Sequence, residues 1–119
     1  MKEAAIGAIF SKDRQKVLLI KRRDVPVWVL PGGGIEKDES PENTCIREVL
    51  EESGFQIKLE KKVGEYTPKN SLTTFTHLFR GEVASGKAQL SNETQEVRFF
   101  RLDKLPKLLP PPHDEWIME

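Results

Sequence analysis

Little in this sequence is in excess. One cysteine, Cys45, stands among 119 residues, so no internal disulfide can form, which fits a reducing compartment. Cys45 falls inside a predicted helix, next to its apolar face, and reads as a small buried apolar residue. Nineteen basic and 19 acidic residues give a formal net charge of zero. No global charge therefore draws the chain to nucleic acid or to an acidic membrane. No apolar run approaches the roughly 20 residues that cross a bilayer. The chain enters a strand-like run at once, without a charged start, long apolar segment and cleavage site, so no signal peptide is read and a cytoplasmic protein is expected. The two histidines, His77 and His113, lack metal-ligand spacing and read as structural or surface residues.

The overall balance hides a local imbalance. From Glu36 to Glu52 there are seven acids against two bases, a net of −5. Lys21, Arg22 and Arg23 precede this block, and Lys58, Lys61 and Lys62 follow it. Such a division suits a highly charged anionic substrate together with a metal. Within the block, a helix advancing about 100° per residue puts Glu48, Glu51 and Glu52 in one narrow arc. Ile46, Val49 and Leu50 fall on the other side and are fit for a core. Like charges so spaced are unfavourable by roughly 0.2–0.5 kcal/mol per pair, and near a helix C-terminus the dipole adds to the penalty. Arg47 can offset part of this by pairing with Glu51. A divalent cation would offset more, since hard cations take carboxylate oxygens.

The chain reads as one domain, 1–119, without internal repeats. Glu3–Phe10 and the aliphatic run Val17–Ile20 are strands joined by a polar turn, suggesting a hairpin. Val27–Leu30 is a short strand, ended by Pro31 before a glycine turn, Gly32–Gly34. Ser40 is the expected N-cap and Pro41 the first residue of a helix running to Ser53, with Gly54 as its stop. Phe55–Tyr66 follows as a strand with Gly64 as a bulge, then a strand over Leu72–Val83, a loop over Ala84–Asn92 and a last strand, Glu96–Leu102. A short helix is expected over Asp103–Leu109, a stiff spacer at Pro110–Pro112 and a terminal helix over His113–Glu119. The succession is compatible with an α/β sandwich around a mixed sheet.

Gly33, five residues, Glu39, seven residues, then Arg47-Glu48-Val49-Leu50-Glu51-Glu52-Ser53-Gly54-Phe55 fill every defining position of the Nudix box, which covers 23 of the 119 residues. The chain thus resembles the Nudix hydrolase (MutT-like) family. The resemblance implies the Nudix fold, a mixed β-sheet sandwiched between helices (α/β/α). It implies a pyrophosphohydrolase that cleaves a nucleoside diphosphate linked to another moiety, with Mg²⁺, or Mn²⁺, as cofactor. It makes Glu51 and Glu52 principal metal ligands, and Glu48 a ligand or the general base. Arg47 would orient a glutamate, Glu39 would lie near the metals and substrate, and a backbone carbonyl around Gly32 or Gly33 would complete the coordination. Many members use a further acid before the last strand; Glu93, six residues before Phe99, is preferred and Glu96 is its rival. Among the bases closing the second strand, Arg23 is the candidate for substrate phosphate. Trp28 and Trp116 are weighed between core and nucleobase stacking, with Tyr66 and nearby phenylalanines as competitors.

Short length and the Trp28-Val29-Leu30-Pro31-Gly32-Gly33 stretch look like nucleoside triphosphate hydrolases of the housecleaning kind. The same stretch looks like hydrolases of dinucleoside or diphosphoinositol polyphosphates. Pro68 sits near, but out of register with, the proline typical of the ADP-ribose class. A sensor that binds nucleotide without turnover is the reading from another class, and the intact box counts against it. RNA 5′-end processing would need a basic surface, which zero net charge does not supply globally. The expected partner is a small nucleotide, with neither nucleic acid nor membrane, and the resemblance leaves room for a homodimer.

Overall fold

The run at residues 17–20 is covered on both faces, as its lack of alternation requires. Val17, Leu18, Leu19 and Ile20 are each 2% exposed or less. They lie in β2 (Lys16–Arg22), which is antiparallel to β1 (Glu3–Phe10), β3 (Trp28–Val29) and β7 (Thr94–Arg101). The computed structural model describes residues 3–66, 75–106 and 117. Its remaining elements are β4 (Gly32–Gly34), α1 (Pro41–Ser53), β5 (Phe55–Tyr66) and β6 (Phe75–Gly86). β1 is parallel to β6 and β6 antiparallel to β5, so the sheet is mixed and the fold α/β, as expected.

Alternation along the strands sorts the core into two layers. On one side Ala8, Phe10, Val17, Leu19, Trp28, Leu30 and Leu78 pack with Ile117. On the other, Ala5, Ile9, Leu18, Ile57 and Phe79 pack against Cys45 and Val49 of α1. Each large aliphatic side chain so buried contributes about 1.5–3 kcal/mol. Leu50, assigned to the core face by its angle, is 38% exposed. Its place on the wheel lies too far round from Val49 for the helix to reach the sheet there.

The helix forms where its caps dictate. The Ser40 hydroxyl accepts the Asn43 N–H at 3.1 Å, and Pro41 opens the first turn. At the far end Gly54 adopts φ 87°, a left-handed conformation that favours glycine, and its N–H reaches the Leu50 carbonyl at 2.9 Å. β5 begins at the next residue and shifts register three times against β6, once between Lys62 and Gly64.

Three expectations are corrected. Gly32–Gly34 is not a turn but a short strand, antiparallel to Ala4–Ile6 of β1. The last strand starts at Thr94, two residues early, because β2 extends to Arg22 and gives it a partner. Residues 103–106 form a turn and coil rather than the start of a helix, consistent with Pro106 having no N–H to donate. The rest of that stretch, Pro68, Pro110–Pro112, His113 and Trp116 lie outside the described residues. Among those described, no helix is long and apolar enough to cross a membrane.

Candidate active site

Strand β4 and helix α1 meet through glycines. A Cβ on Gly32 would strike the backbone of Ala5 and Ile6, and one on Gly33 would fall inside the Glu48 carboxyl. The absence of side chains lets β4 lie flat between β1 and the acidic face of α1. The Gly32 N–H donates to Glu52 Oε1 at 2.8 Å. The glycine-rich stretch therefore serves by close approach and not by positive φ.

Along this seam opens a cleft of about 890 Å³. Glu48, Glu52 and Glu93 contribute acids to it, Arg22 and Arg23 contribute bases, and Ile6, Ile20, Val29 and Leu30 supply apolar wall. A smaller recess of about 230 Å³ adjoins it, bounded by Glu48, Glu51, Glu52 and Glu93 with Ser91 and Asn92. Four carboxylates thus border one hollow, and the cleft beside it also carries Arg22, Arg23 and Asp24. Among the described residues no three His, Cys, Asp or Glu side chains converge as a chelating group.

Arg47 organises the acidic side. Its Nε donates to Glu39 Oε2 at 2.7 Å and its Nη2 to Glu39 Oε1 at 3.0 Å, a two-pronged bond. Its Nη1 donates to Glu48 Oε1 at 2.7 Å and reaches Glu51 at 3.3 Å, while Nη2 also reaches the Gly34 carbonyl at 3.3 Å. The expected Arg47–Glu51 pair is present, at a longer distance than the pairs with Glu39 and Glu48. Glu39 also accepts from the Thr44 hydroxyl at 2.7 Å. These donors, Arg47 foremost, lower the Glu39 carboxyl to about 2.

The acids at the hollow behave in the opposite way. Burial pushes the Glu52 carboxyl up to about 8; the Gly32 N–H works against this, and Glu48, Glu93 and Glu51 add to it. Burial also raises Glu48, with Arg47 opposing. Ionisation of these acids is therefore disfavoured in the absence of a cation, and a cation bound beside them would favour it.

The expected site residues divide. Glu48, Glu52, Glu93, Gly33 and Arg23 line the cleft, and Glu51 borders the adjoining recess. Arg23 donates from Nε to the Ser91 carbonyl at 3.2 Å, and among the described residues no carboxylate pairs with it. Glu96 does not line the cleft; it lies in β7 and pairs with Lys21 at 3.7 Å and Arg98 at 3.4 Å. Two assignments to substrate are corrected. Trp28 is 7% exposed and packs edge-on to Phe100 at 4.8 Å, within the core. Its large apolar area and place on β3 turn it away from the cleft. Glu39 does not line the cleft either, because both its oxygens are taken by Arg47, Thr44 and the Glu36 N–H.

Sequence reasoning missed Thr44, Ser91, Asn92, Asp24 and the apolar wall. Ser91 had a legible signal, a serine in a polar loop just before a strand, where its hydroxyl accepts backbone N–H groups. The wall residues had none, since alternation says which side a residue faces but not which face is open.

Comparison with known proteins places this geometry. The model of the NUDIX domain matches residues 1–119. A Bacillus subtilis protein provisionally named an 8-oxo-dGTP diphosphatase is 36% identical over 104 residues, covering 87% of this chain and 69% of its own. An ADP-ribose pyrophosphatase of Methanocaldococcus jannaschii is 33% identical over 112 residues, covering 87% and 64%. The crystal structure of an ADP-ribose pyrophosphatase from Streptococcus suis superposes with a TM-score of 0.84 at 31% identity, covering 98% of this chain and 87% of that one. The chain spans about two thirds of the length of those two curated relatives. Box, cleft and relatives agree, and the chain belongs to the NUDIX family of hydrolases.

Proposed function

We propose that this protein is a Mg²⁺-dependent pyrophosphohydrolase of nucleoside diphosphates linked to a further group, with nucleoside triphosphates as the first substrate class. The observation that supports it is one cleft lined by Glu48, Glu52 and Glu93 together with Arg22 and Arg23, with Glu51 at the recess beside it. The oxygen-only donor set of Glu48, Glu51, Glu52 and Glu93 fits a hard divalent cation. The raised Glu52 carboxyl keeps its proton in the empty site, and a bound cation would favour its ionised form. In this reading Glu48, Glu51 and Glu52 would hold the metal, with a backbone carbonyl at Gly33. Bound there, the metal would neutralise phosphate oxygens and acidify a water.

The chain's own groups do the rest. Arg23 and Arg22 clamp the phosphate chain from the basic side; Arg23 is the freer of the two, since Arg22 pairs with Asp24. Arg47 fixes the Glu48 carboxylate, and Glu39 with Thr44 fixes Arg47. Glu93 or Glu48 takes the proton of the attacking water. As the new P–O bond forms, the anhydride P–O bond breaks and the phosphate-bearing fragment beyond it departs with the bonding electron pair.

A nucleoside diphosphate sugar is the second reading, favoured by two relatives named as ADP-ribose pyrophosphatases. The test is hydrolysis by wild type and Glu52→Gln of nucleoside triphosphates (canonical and oxidised), ADP-ribose, diadenosine polyphosphates and diphosphoinositol polyphosphates, each with Mg²⁺ or Mn²⁺. The expected result is turnover of one class, lost in Glu52→Gln while the fold persists. Tight nucleotide binding with no turnover of any class would overturn it in favour of a sensor.

A further inference from the structure

Glu93 stands on a loop of exposed residues, yet its neighbours restrain it. The Ser91 hydroxyl accepts the Glu93 N–H at 3.3 Å and the Thr94 N–H at 3.1 Å, closing a tight turn around the acid. The turn is tied from outside at two points, both on Arg23. The Arg23 N–H donates to the Glu93 carbonyl at 3.1 Å, and Arg23 Nε donates to the Ser91 carbonyl at 3.2 Å. The sheet prepares this end. Lys21 pairs with Glu96 but Arg22 pairs with Thr94, so Gln95 is an extra residue on β7. Such a bulge bends a strand and re-aims what precedes it. The outcome is that Glu93 borders both the cleft and the recess shared by Glu48 and Glu52.

We propose that Ser91 and Arg23 form a strap that sets the position of Glu93, so that Ser91 is a positioning residue for the reaction although it holds no substrate. This rests on the reading of Glu93 given above. Arg23 then has two duties: its terminal nitrogens face the anion, and its Nε and backbone N–H hold the turn. An anion on the guanidinium and the geometry of Glu93 are thereby linked through one side chain. A side chain on an exposed loop has many conformations, and a catalytic carboxylate displaced by an ångström loses much of its effect.

The test is a double-mutant cycle with the full chain. Ser91→Ala is expected to lower kcat about ten- to a hundredfold with KM within twofold, and Ser91→Thr to restore most of it. In a Glu93→Gln background the same Ser91→Ala change is expected to do almost nothing, because the group it positions is gone. An equal loss in both backgrounds would show that Ser91 acts through general stability, and would overturn the strap. Amide hydrogen exchange reads the strap without turnover: Ser91→Ala should speed exchange at Glu93, Thr94 and Arg23. Unchanged exchange at these amides overturns it as well. If the wild type hydrolyses nothing, the assignment of function fails while exchange still decides whether the strap exists.

Discussion

The Glu48 carboxyl occupies the space into which a side chain at Gly33 would project. Gly33 does not need glycine for its backbone angles, since its φ is not positive. Gly33→Ala should therefore fold, with Glu48 pushed off the seam and away from Arg47. We expect kcat to fall about a hundredfold, with a Tm within a few degrees of wild type. Wild-type turnover in Gly33→Ala would show that the position of Glu48 does not matter.

Arg47 uses a planar fork to hold Glu39 by two bonds while a third nitrogen holds Glu48. A lysine has one ammonium on a flexible stem and cannot reproduce that geometry. Arg47→Lys should lose about 1–3 kcal/mol of stability, as partly buried acceptors go unpaired. Chemical denaturation measures this. Thr44→Val should lose less, because Glu39 keeps Arg47.

The metal-free protein should be less stable at alkaline than at mildly acidic pH. The Glu52 carboxyl is raised from 4.5 to about 8. Between those values the folded chain holds a proton that the unfolded chain has released, so stability falls as pH rises through that window. With EDTA, Tm should drop by several degrees between pH 6 and pH 8.5, at about 4–8 °C per kcal/mol for a small domain. Excess Mg²⁺ should reverse the trend, since it stabilises the ionised form. A flat profile in EDTA would mean that the carboxyl is as solvated as in the unfolded chain.

Cys45 is fully buried, and burial, with some help from Glu52, pushes its thiol from 9.0 up to about 12. Only the thiolate reacts readily. Labelling of the native protein by a thiol reagent at pH 8 should therefore wait for unfolding, and accelerate sharply in denaturant. The same shift removes stability as pH climbs from 9 toward 12, because only the unfolded chain then loses the proton. Fast labelling of folded protein would contradict the packing of α1 on the sheet.

How much was visible beforehand follows from range. The helix Pro41–Ser53 was legible to the residue because serine, proline and glycine caps act locally. So were β1 and β5, and the box put Glu48, Glu51 and Glu52 on one arc. Gly32–Gly34 was misjudged because its pairing depends on β1, some thirty residues away. Trp28 stayed open between core and stacking because its fate turns on Phe100, far along the chain. The split between Glu93 and Glu96 depended on a bulge that no short window displays.

The parallel pairing of β1 with β6 has a kinetic consequence. Glu3–Phe10 leaves the ribosome well before its partner Phe75–Glu82. Local structure such as α1 and the pairing of β1 with β2 and β4 can form early, but the pairing of β1 with β6 must wait for a long loop to close. The nascent chain thus carries the acids of α1 before the cleft can be completed, since Asn92 and Glu93, which also line it, are made later.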